Sequence, residues 1–487
     1  MTTYVTVAIP YVNAAPHLGY SYELVEADIY ARALRRAGES VRFLGGTDDH
    51  SLKNVLAAEA AGQPTPELVA ANARRFEHLA EPLGLSFDDF IKTSTDPRHR
   101  PAVERLWRAC AAKGDLYLKA YEGQYCTGCE QFYEPGDAAD GRCPEHGTAL
   151  EQVAEENWFF RLSAYEERLE QLIADDVLEV RPEPFRQEVL ALVRGGLRDI
   201  SVSRSVRRAR GWGIGVPDDP TQVIYVWFDA LTNYLSALGL GDDESPALRR
   251  WWLESDRRVH VVGKGILRFH AVYWPAFLLS AGLPLPTRIQ VHPYLTVDGL
   301  KLSKSSGRTV DPLAVVDTFG TDALRWWFAR DVGVVSDTDY TASRLVERAN
   351  DDLANGFGNV VHRVATLVRR ARAGGVDVAT CAQNARDAEL ETIVAARLQE
   401  FDLRGATAAL LDAIAVLNRD LESTAPWRLS PGPDATELSE ILGRQLATAR
   451  AIAVAATPII PALAACLTEH LESEVPDGSP FARLAAP

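Results

Sequence analysis

Residues 4–44 constrain the fold more than any other stretch. A short apolar run, Tyr4 to Ile9, reads as the first buried strand of a parallel sheet. From Leu18 the apolar positions Leu18, Tyr22, Val25 and Ile29 keep helical spacing, and Gly38 closes the helix. Val41 to Leu44 then reads as a second buried strand. Strand, helix and strand at this spacing make a βαβ unit with both strand ends on one face of a parallel sheet, where ligands gather. In the turn between, Pro16 suits the first helical position because its φ is fixed. His17 then falls in the first turn, where N–H groups and the positive dipole end favour an anion. Gly19 offers bare backbone to a flat ring. These features together suggest a nucleotide phosphate site. The second strand runs out through Gly45-Gly46-Thr47-Asp48-Asp49-His50, where Asp48 can receive an ammonium group and His50 can steady the loop. A solvated turn carboxylate is the ordinary alternative for Asp48.

Far downstream stands Lys301-Leu302-Ser303-Lys304-Ser305. Two lysines three apart among small hydroxyl residues can grip a polyphosphate with flexible point charges; an exposed basic turn is the plain alternative. Between these ends lies a metal signature. Cys126 and Cys129, then thirteen residues, then Cys143 and His146, with Gly and Pro shaping both knuckles, match a closed tetrahedral zinc site. Such a metal would staple a small insertion that lacks a core of its own. Cys110, Cys381 and Cys466 sit on apolar helical stretches and read as inert core thiols.

Further strands are expected at Ile224–Phe228, Val259–Val262 and Thr287–Val291, with helical segments after His50 that break near Gly62-Gln63-Pro64 and Asp96-Pro97 and run on to Gly114. Their ends would gather Tyr11, Trp227, Tyr234, Phe269 and His270 into an apolar pocket with few polar handles, as small-ligand sites are built. From Ala323 onward the pattern is helical throughout, with Leu403, Leu410, Ile414, Leu417 and Leu421 forming a bundle stripe. Arg344, Arg348, Arg363, Arg369, Arg370 and Arg372 crowd one region. A net charge of −16 leaves such a local surface as the place for phosphate contacts, with a salt-bridged face as the ordinary reading. At 487 residues two to four domains are expected. No apolar stretch approaches bilayer length and the start lacks a basic n-region, so a cytoplasmic protein without a membrane partner is expected.

The His-Leu-Gly turn paired with Lys-Leu-Ser-Lys-Ser resembles the two signatures of class I aminoacyl-tRNA synthetases. With the zinc knuckle, the Tyr-Val-Trp-Phe-Asp-Ala run and a final Ala-Pro-Trp, the resemblance narrows to the methionyl-tRNA synthetase family and covers nearly the whole chain. It implies a Rossmann-like parallel-sheet catalytic fold with a zinc-bearing insertion and a C-terminal helical bundle. The expected partition is 1–114 and 223–290 for the two halves of the catalytic domain and 115–222 for the insertion. Residues 291–340 would be the lysine-loop region and 341–487 the anticodon-binding bundle. It also implies ATP held by Pro16, His17, Gly19, Tyr20, Gly263, Lys301, Ser303 and Lys304, with His17, Lys301 and Lys304 catalytic and Mg²⁺ assisting. L-methionine would be held by Ile9, Tyr11, Asp48, Trp227, Ala230, Leu231, Tyr234, Ile266 and His270. Asn359, Arg363 and Trp427 would read the anticodon of methionine tRNA, with zinc on Cys126, Cys129, Cys143 and His146. A monomer is expected, because no dimerisation module follows the bundle.

The chain departs from the family pattern around the adenylate. Tyr20 replaces a histidine, Gly265 an aspartate facing the ribose, and Leu302 a methionine, while Asp49, Ser51, Pro293 and Arg308 also differ. These departures imply weaker ATP affinity and fit a divergent second copy. Two rival readings are a paralogue that activates another amino acid or serves small-molecule biosynthesis, and a non-catalytic RNA-binding zinc protein.

Overall fold

The structure, a computed structural model, describes residues 1–126, 131–133, 140–144, 147–297, 299–301, 309–378, 385–473 and 479–485. In chain order the elements used below are β1 (Thr2–Val7), α1 (Leu18–Arg36), β2 (Ser40–Thr47), α2 (Leu52–Ala60), β3 (Asp89–Lys92), α3 (His99–Lys113) and β4 (Glu179–Arg181). They continue with α4 (Val226–Leu231), β5 (Arg257–Gly263), β6 (Arg288–His292), α5 (Thr321–Asp331), α6 (Asn359–Ala373), α7 (Leu403–Thr424), α8 (Ala435–Ala456) and α9 (Pro461–Glu472). The chain forms two compact units, neither continuous in sequence. One is 1–16, 39–80 and 87–293; the other is 17–38, 81–86 and 294–487.

The first unit is organised by a six-stranded sheet in the order β3-β2-β1-β5-β6-β4, every pairing parallel. Its central strands are buried along almost their whole length, so both faces are covered and the sequence reads as apolar runs. A central-strand histidine is tolerated because its ring is satisfied: His260 Nδ1 lies 2.6 Å from Thr6 Oγ1, and its Nε2 accepts from Trp274 Nε1 at 3.2 Å. Gly46 is needed at the end of β2, since a Cβ there would meet Ile91 O at 2.5 Å. A hairpin of Leu116–Cys126 and Glu151–Phe160 carries the cysteine-rich insertion.

Two sequence expectations change here. The Ile224–Phe228 run is not a strand of the parallel sheet. A strand, Asp219–Ile224, pairs antiparallel with short neighbours, and α4 begins at Val226. A brief apolar run fits a buried strand or a buried helix equally well, and periodicity alone does not separate them. The stretch between the breaks near Gly62 and Asp96 is not wholly helical either, because β3 lies within it and pairs with β2. The edge strand β4 comes from within the insertion segment and pairs with β6.

The second unit is mainly helical, with a small sheet in the order Leu300–Lys301, Leu295–Val297, Thr338–Asp339, whose last strand interrupts the stretch read as helical throughout from Ala323. Leu403, Leu410, Ile414, Leu417 and Leu421 are buried along α7 as the stripe requires. At its centre Arg325 of α5 is fully buried and donates to Asp28 of α1 at 2.8 Å and to the carbonyls of Leu83, Pro458 and Ile459. Against the push of burial, Arg325 and Arg32 hold the Asp28 carboxyl below its ordinary value. Asp322 accepts from Leu463 N–H at the start of α9. On that helix Leu463, Leu467 and Leu471 face inward, which turns Cys466 outward, so it is exposed rather than a core thiol. Cys110 is buried, and burial pushes its thiol up to about 12; Cys381 lies outside the described residues. Among the described residues, no helix is long and apolar enough to cross a membrane.

Candidate active site

In the first unit, the ends of β1, β2 and β5 point the same way because the strands are parallel. Chain leaving β1 brings Ile9 and Tyr11; Tyr11 forms a bridge with Asp48 just past β2. A Cβ on Gly46 would lie 3.0 Å from Ile9 Cγ2, which places Ile9 against the same strand end. Trp227 meets the Tyr11 ring at 6.3 Å and stacks on Phe269 at 3.7 Å with an interplanar angle of 3°. Ala230 and Leu231 continue α4 and are buried. Tyr234, 1% exposed, places its hydroxyl 2.8 Å from His270 Nε2, and His270 Nδ1 lies 2.9 Å from the Ile266 carbonyl. That carbonyl can only accept, so Nδ1 carries the ring proton and Nε2 accepts from the tyrosine. Burial lowers His270 to about 4, which keeps this pair neutral near pH 7. Of the nine residues named from sequence, Ile9, Tyr11, Asp48, Trp227, Tyr234, Ile266 and His270 are linked by these contacts, and Ala230 and Leu231 share the helix of Trp227; Asp48 is buried, and Lys53 Nζ lies 5.4 Å from the Tyr11 ring centre.

Sequence reasoning passed over the polar support of this wall. Asp229, lying between Trp227 and Ala230, joins His50 and His99, and Trp212 Nε1 donates to Asp49 O at 2.7 Å. The loop-steadying role expected of His50 is therefore exercised through Asp229. Asp229 itself stood in the quoted run, but nothing in its spacing points to His99.

In the second unit His17 is the N-cap of α1 rather than a residue of its first turn, and Pro16 precedes the cap. The side chain decides this. His17 Nδ1 accepts from Tyr20 N at 3.3 Å, which leaves the ring proton on Nε2. A Cβ on Gly19 would lie 3.1 Å from the His17 ring, so its bareness first serves to seat that imidazole. Tyr20 is buried. Leu18 N–H donates to Val310 O at 3.0 Å, fastening the chain that leaves the lysine loop to the start of α1. Lys301 pairs through Thr296, while Ser303, Lys304 and Arg308 lie outside the described residues. Gly263 ends β5 in the first unit.

The family model described as "tRNA synthetases class I (M)" matches residues 3–153 and 133–365. A methionine--tRNA ligase of Mycobacterium leprae is 39% identical, over 97% of this chain and 89% of the relative. One of Rhizobium meliloti is 38% identical, over 94% of this chain and 89% of the relative. This chain belongs to the class I methionyl-tRNA synthetase family. Among solved structures, Mycobacterium tuberculosis methionyl-tRNA synthetase in complex with methionyl-adenylate matches with a TM-score of 0.87. It is 37% identical, covering 96% of this chain and 93% of that one.

The remaining methionyl-tRNA synthetase features lie away from the pocket residues in sequence. Cys126 and Cys143 are both buried, at 1%, in one small cluster with Tyr133 and Leu150. The Tyr133 hydroxyl is 3.6 Å from Cys143 Sγ, and Gly147 N–H closes the second knuckle on Cys143 O at 2.8 Å. Two buried cysteines in one small cluster, in a segment with so little core, fit the soft half of a zinc donor set. Cys129 and His146 lie outside the described residues. In the second unit, Asn359 opens α6 and is exposed; Arg363, one turn on, places its guanidinium 5.9 Å from the Trp427 ring centre. Arg363 also pairs with Glu422 at 2.6 Å. The other arginines are largely committed: Arg344 and Arg348 to Asp331, Arg369 to the carbonyls of His470 and Ser473, and Arg372 to Val378 O.

Proposed function

We propose that this chain is a methionine–tRNA ligase, which activates L-methionine with ATP and transfers it to methionine tRNA. The observation that carries the reading is the neutral Tyr234–His270 pair beside Trp227, whose ring meets Tyr11, the bridge partner of Asp48. A neutral polar pair set among aromatic rings suits a thioether, and sulfur against ring edges contributes roughly 0.3–1.5 kcal/mol per contact. Asp48 holds the α-ammonium, while Ile9, Tyr11, Ala230, Leu231 and Ile266 complete the enclosure.

In the first step a methionine carboxylate oxygen bonds to the α-phosphorus of ATP, and the bond to the bridging oxygen breaks, releasing pyrophosphate. His17 Nε2–H, Lys301 and Lys304 stabilise charge developing on the phosphates. Pro16, Gly19, Tyr20, Gly263 and Ser303 shape the nucleotide site. In the second step the terminal adenosine hydroxyl of the tRNA attacks the methionyl carbonyl and AMP leaves. A Mg²⁺ ion bound with ATP would offset charge on the phosphates. Zinc would be held by Cys126, Cys129, Cys143 and His146 as a structural staple. Asn359, Arg363 and Trp427 read anticodon bases, with Trp427 as a stacking platform. The reading includes the five-part partition, with β4 of the 115–222 stretch joining the catalytic sheet, and a monomeric, cytoplasmic enzyme; light scattering and cell fractionation check the last two.

The test is amino-acid-dependent ATP–pyrophosphate exchange across a panel of amino acids, followed by charging of methionine tRNA. Exchange with methionine alone, then charging, is expected. Preference for another amino acid would favour the paralogue, and no exchange with any would favour the RNA-binding protein.

A further inference from the structure

Behind the pocket runs a buried polar chain that substrate contact does not explain. Asp229 is 1% exposed, and its two carboxylate oxygens are taken by two imidazoles: His50 Nδ1 at 2.8 Å and His99 Nε2 at 2.5 Å. His50 stands two residues after Asp48, and its backbone N–H donates to Asp48 Oδ1 at 3.2 Å. His99 opens α3 and is fully buried; its Nδ1 lies 2.8 Å from Ser236 Oγ, two residues past Tyr234. Trp212 closes the side, its ring edge-on to His50 at 5.8 Å. One carboxylate therefore joins the β2 exit that carries Asp48, the helix that carries Trp227, Ala230 and Leu231, and the start of α3.

These contacts are hydrogen bonds and leave no room for an ion. Two ligands of one tetrahedral cation at about 2.0–2.2 Å stand roughly 3.3 Å apart or more, whereas the nitrogen–oxygen pairs here lie at 2.5 and 2.8 Å. An isolated buried carboxylate is unfavourable, and one stays ionised only if protons on neighbours offset its charge. Burial pushes the Asp229 carboxyl up, yet His50 and His99 hold it well below its ordinary value. In turn, against burial, Asp229 raises the His50 imidazole above the usual range.

We propose that His50, Asp229 and His99 form a proton-bearing brace that fixes Asp48 relative to the Trp227–Tyr234 wall, so that Asp229 and His50 are positioning residues for methionine. The proposal rests on the reading of the pocket as a methionine site. The groups facing His50 are Asp229 on α4, Asp49 on its own turn and His99 and Arg100 on α3. Arg204 and Arg208 also line a cavity of about 30 Å³ with it. Because the imidazolium is favoured in the folded protein, the brace is complete below the ordinary imidazole pKa. It loosens as pH rises through the raised value. The KM for methionine therefore increases on the alkaline side.

The experiment is pyrophosphate exchange with methionine and ATP varied separately, from about pH 6 to 9, on the wild type, Asp229→Asn and His50→Gln. Asp229→Asn keeps shape and removes charge. Its methionine KM is expected to rise about tenfold while the ATP KM stays within about twofold, and the alkaline increase should vanish. His50→Gln should reproduce this in weaker form, and it decides the matter if Asp229→Asn does not fold. A folded variant with methionine KM within twofold of wild type, or with both KM values rising together, overturns the brace. A wild type without methionine-dependent exchange overturns the function reading itself, and the brace with it.

Discussion

The pocket proposed for the amino acid and the trio proposed for the anticodon are built on opposite plans. In the pocket, Tyr234 and His270 are each 1% exposed and direct their polar atoms to one another and to a backbone carbonyl. At the trio, Trp427 is 38% exposed and Arg363 meets Glu422 at the surface. The contrast follows from the ligands proposed for each. A small apolar side chain is recognised by shape in a neutral, water-free enclosure, so the enclosure must be rigid before the ligand arrives. An unpaired base brings its own flat surface and its phosphates, so an exposed ring and a cation held in waiting suffice. Changes in the first place should disturb geometry, and changes in the second should remove one contact.

The largest effect separating the two plans is expected at Asp48. Asp48→Ala leaves the substrate ammonium without its partner in a buried site, a loss of about 3–4 kcal/mol or several hundredfold in kcat/KM for methionine. Exchange kinetics measure it, and a change below tenfold would place the ammonium elsewhere. Next comes His17→Asn. Asparagine is an effective N-cap, so α1 keeps its start, but the Nε2–H donor is gone; kcat should fall roughly a hundredfold with methionine affinity intact. Equilibrium binding of methionine beside exchange rates would reveal whether that separation holds.

Trp427→Ala sharpens the comparison from the other side. Losing one stacking platform should raise the KM for tRNA about tenfold, while pyrophosphate exchange without tRNA stays at the wild-type rate. A parallel loss in exchange would mean that the trio shapes the catalytic unit, contrary to the single-contact view.

How far each plan could be read from the chain differs in the same way. Asn359 and Arg363 are neighbours on a helix face by spacing alone, and that helix is present. The βαβ start and the strands that became β5 and β6 were legible because buried parallel strands are continuous apolar runs. Trp227 was placed on a strand although it stands on α4, because Val226–Leu231 is short and apolar and its state is set by what it packs on. β3 and β4, of four and three residues, carry too little pattern to stand out. His99 and Asp229 lie 130 residues apart, so their hydrogen bond has no trace in local periodicity. The His17 cap was missed because the residue types that usually cap helices do not include histidine.

The smallest expected effect concerns a residue whose side chain is missing. Gly265 is exposed and sits in a single turn, Lys264–Ile266, directly after β5. That turn is right-handed, so nothing in the backbone requires glycine there. By family resemblance an aspartate at this position faces the ribose of ATP, and one hydrogen bond to such a carboxylate contributes about 1 kcal/mol or somewhat more. Gly265→Asp should therefore lower the KM for ATP about fivefold and leave the methionine KM unchanged, since Tyr234, His270 and Asp48 keep their partners. The sign makes this the most telling of the substitutions, because it is the one expected to improve the enzyme. An ATP KM that stays level or worsens would mean that the chain has rebuilt its ribose contacts elsewhere, and that the departures around the adenylate are compensated rather than costly.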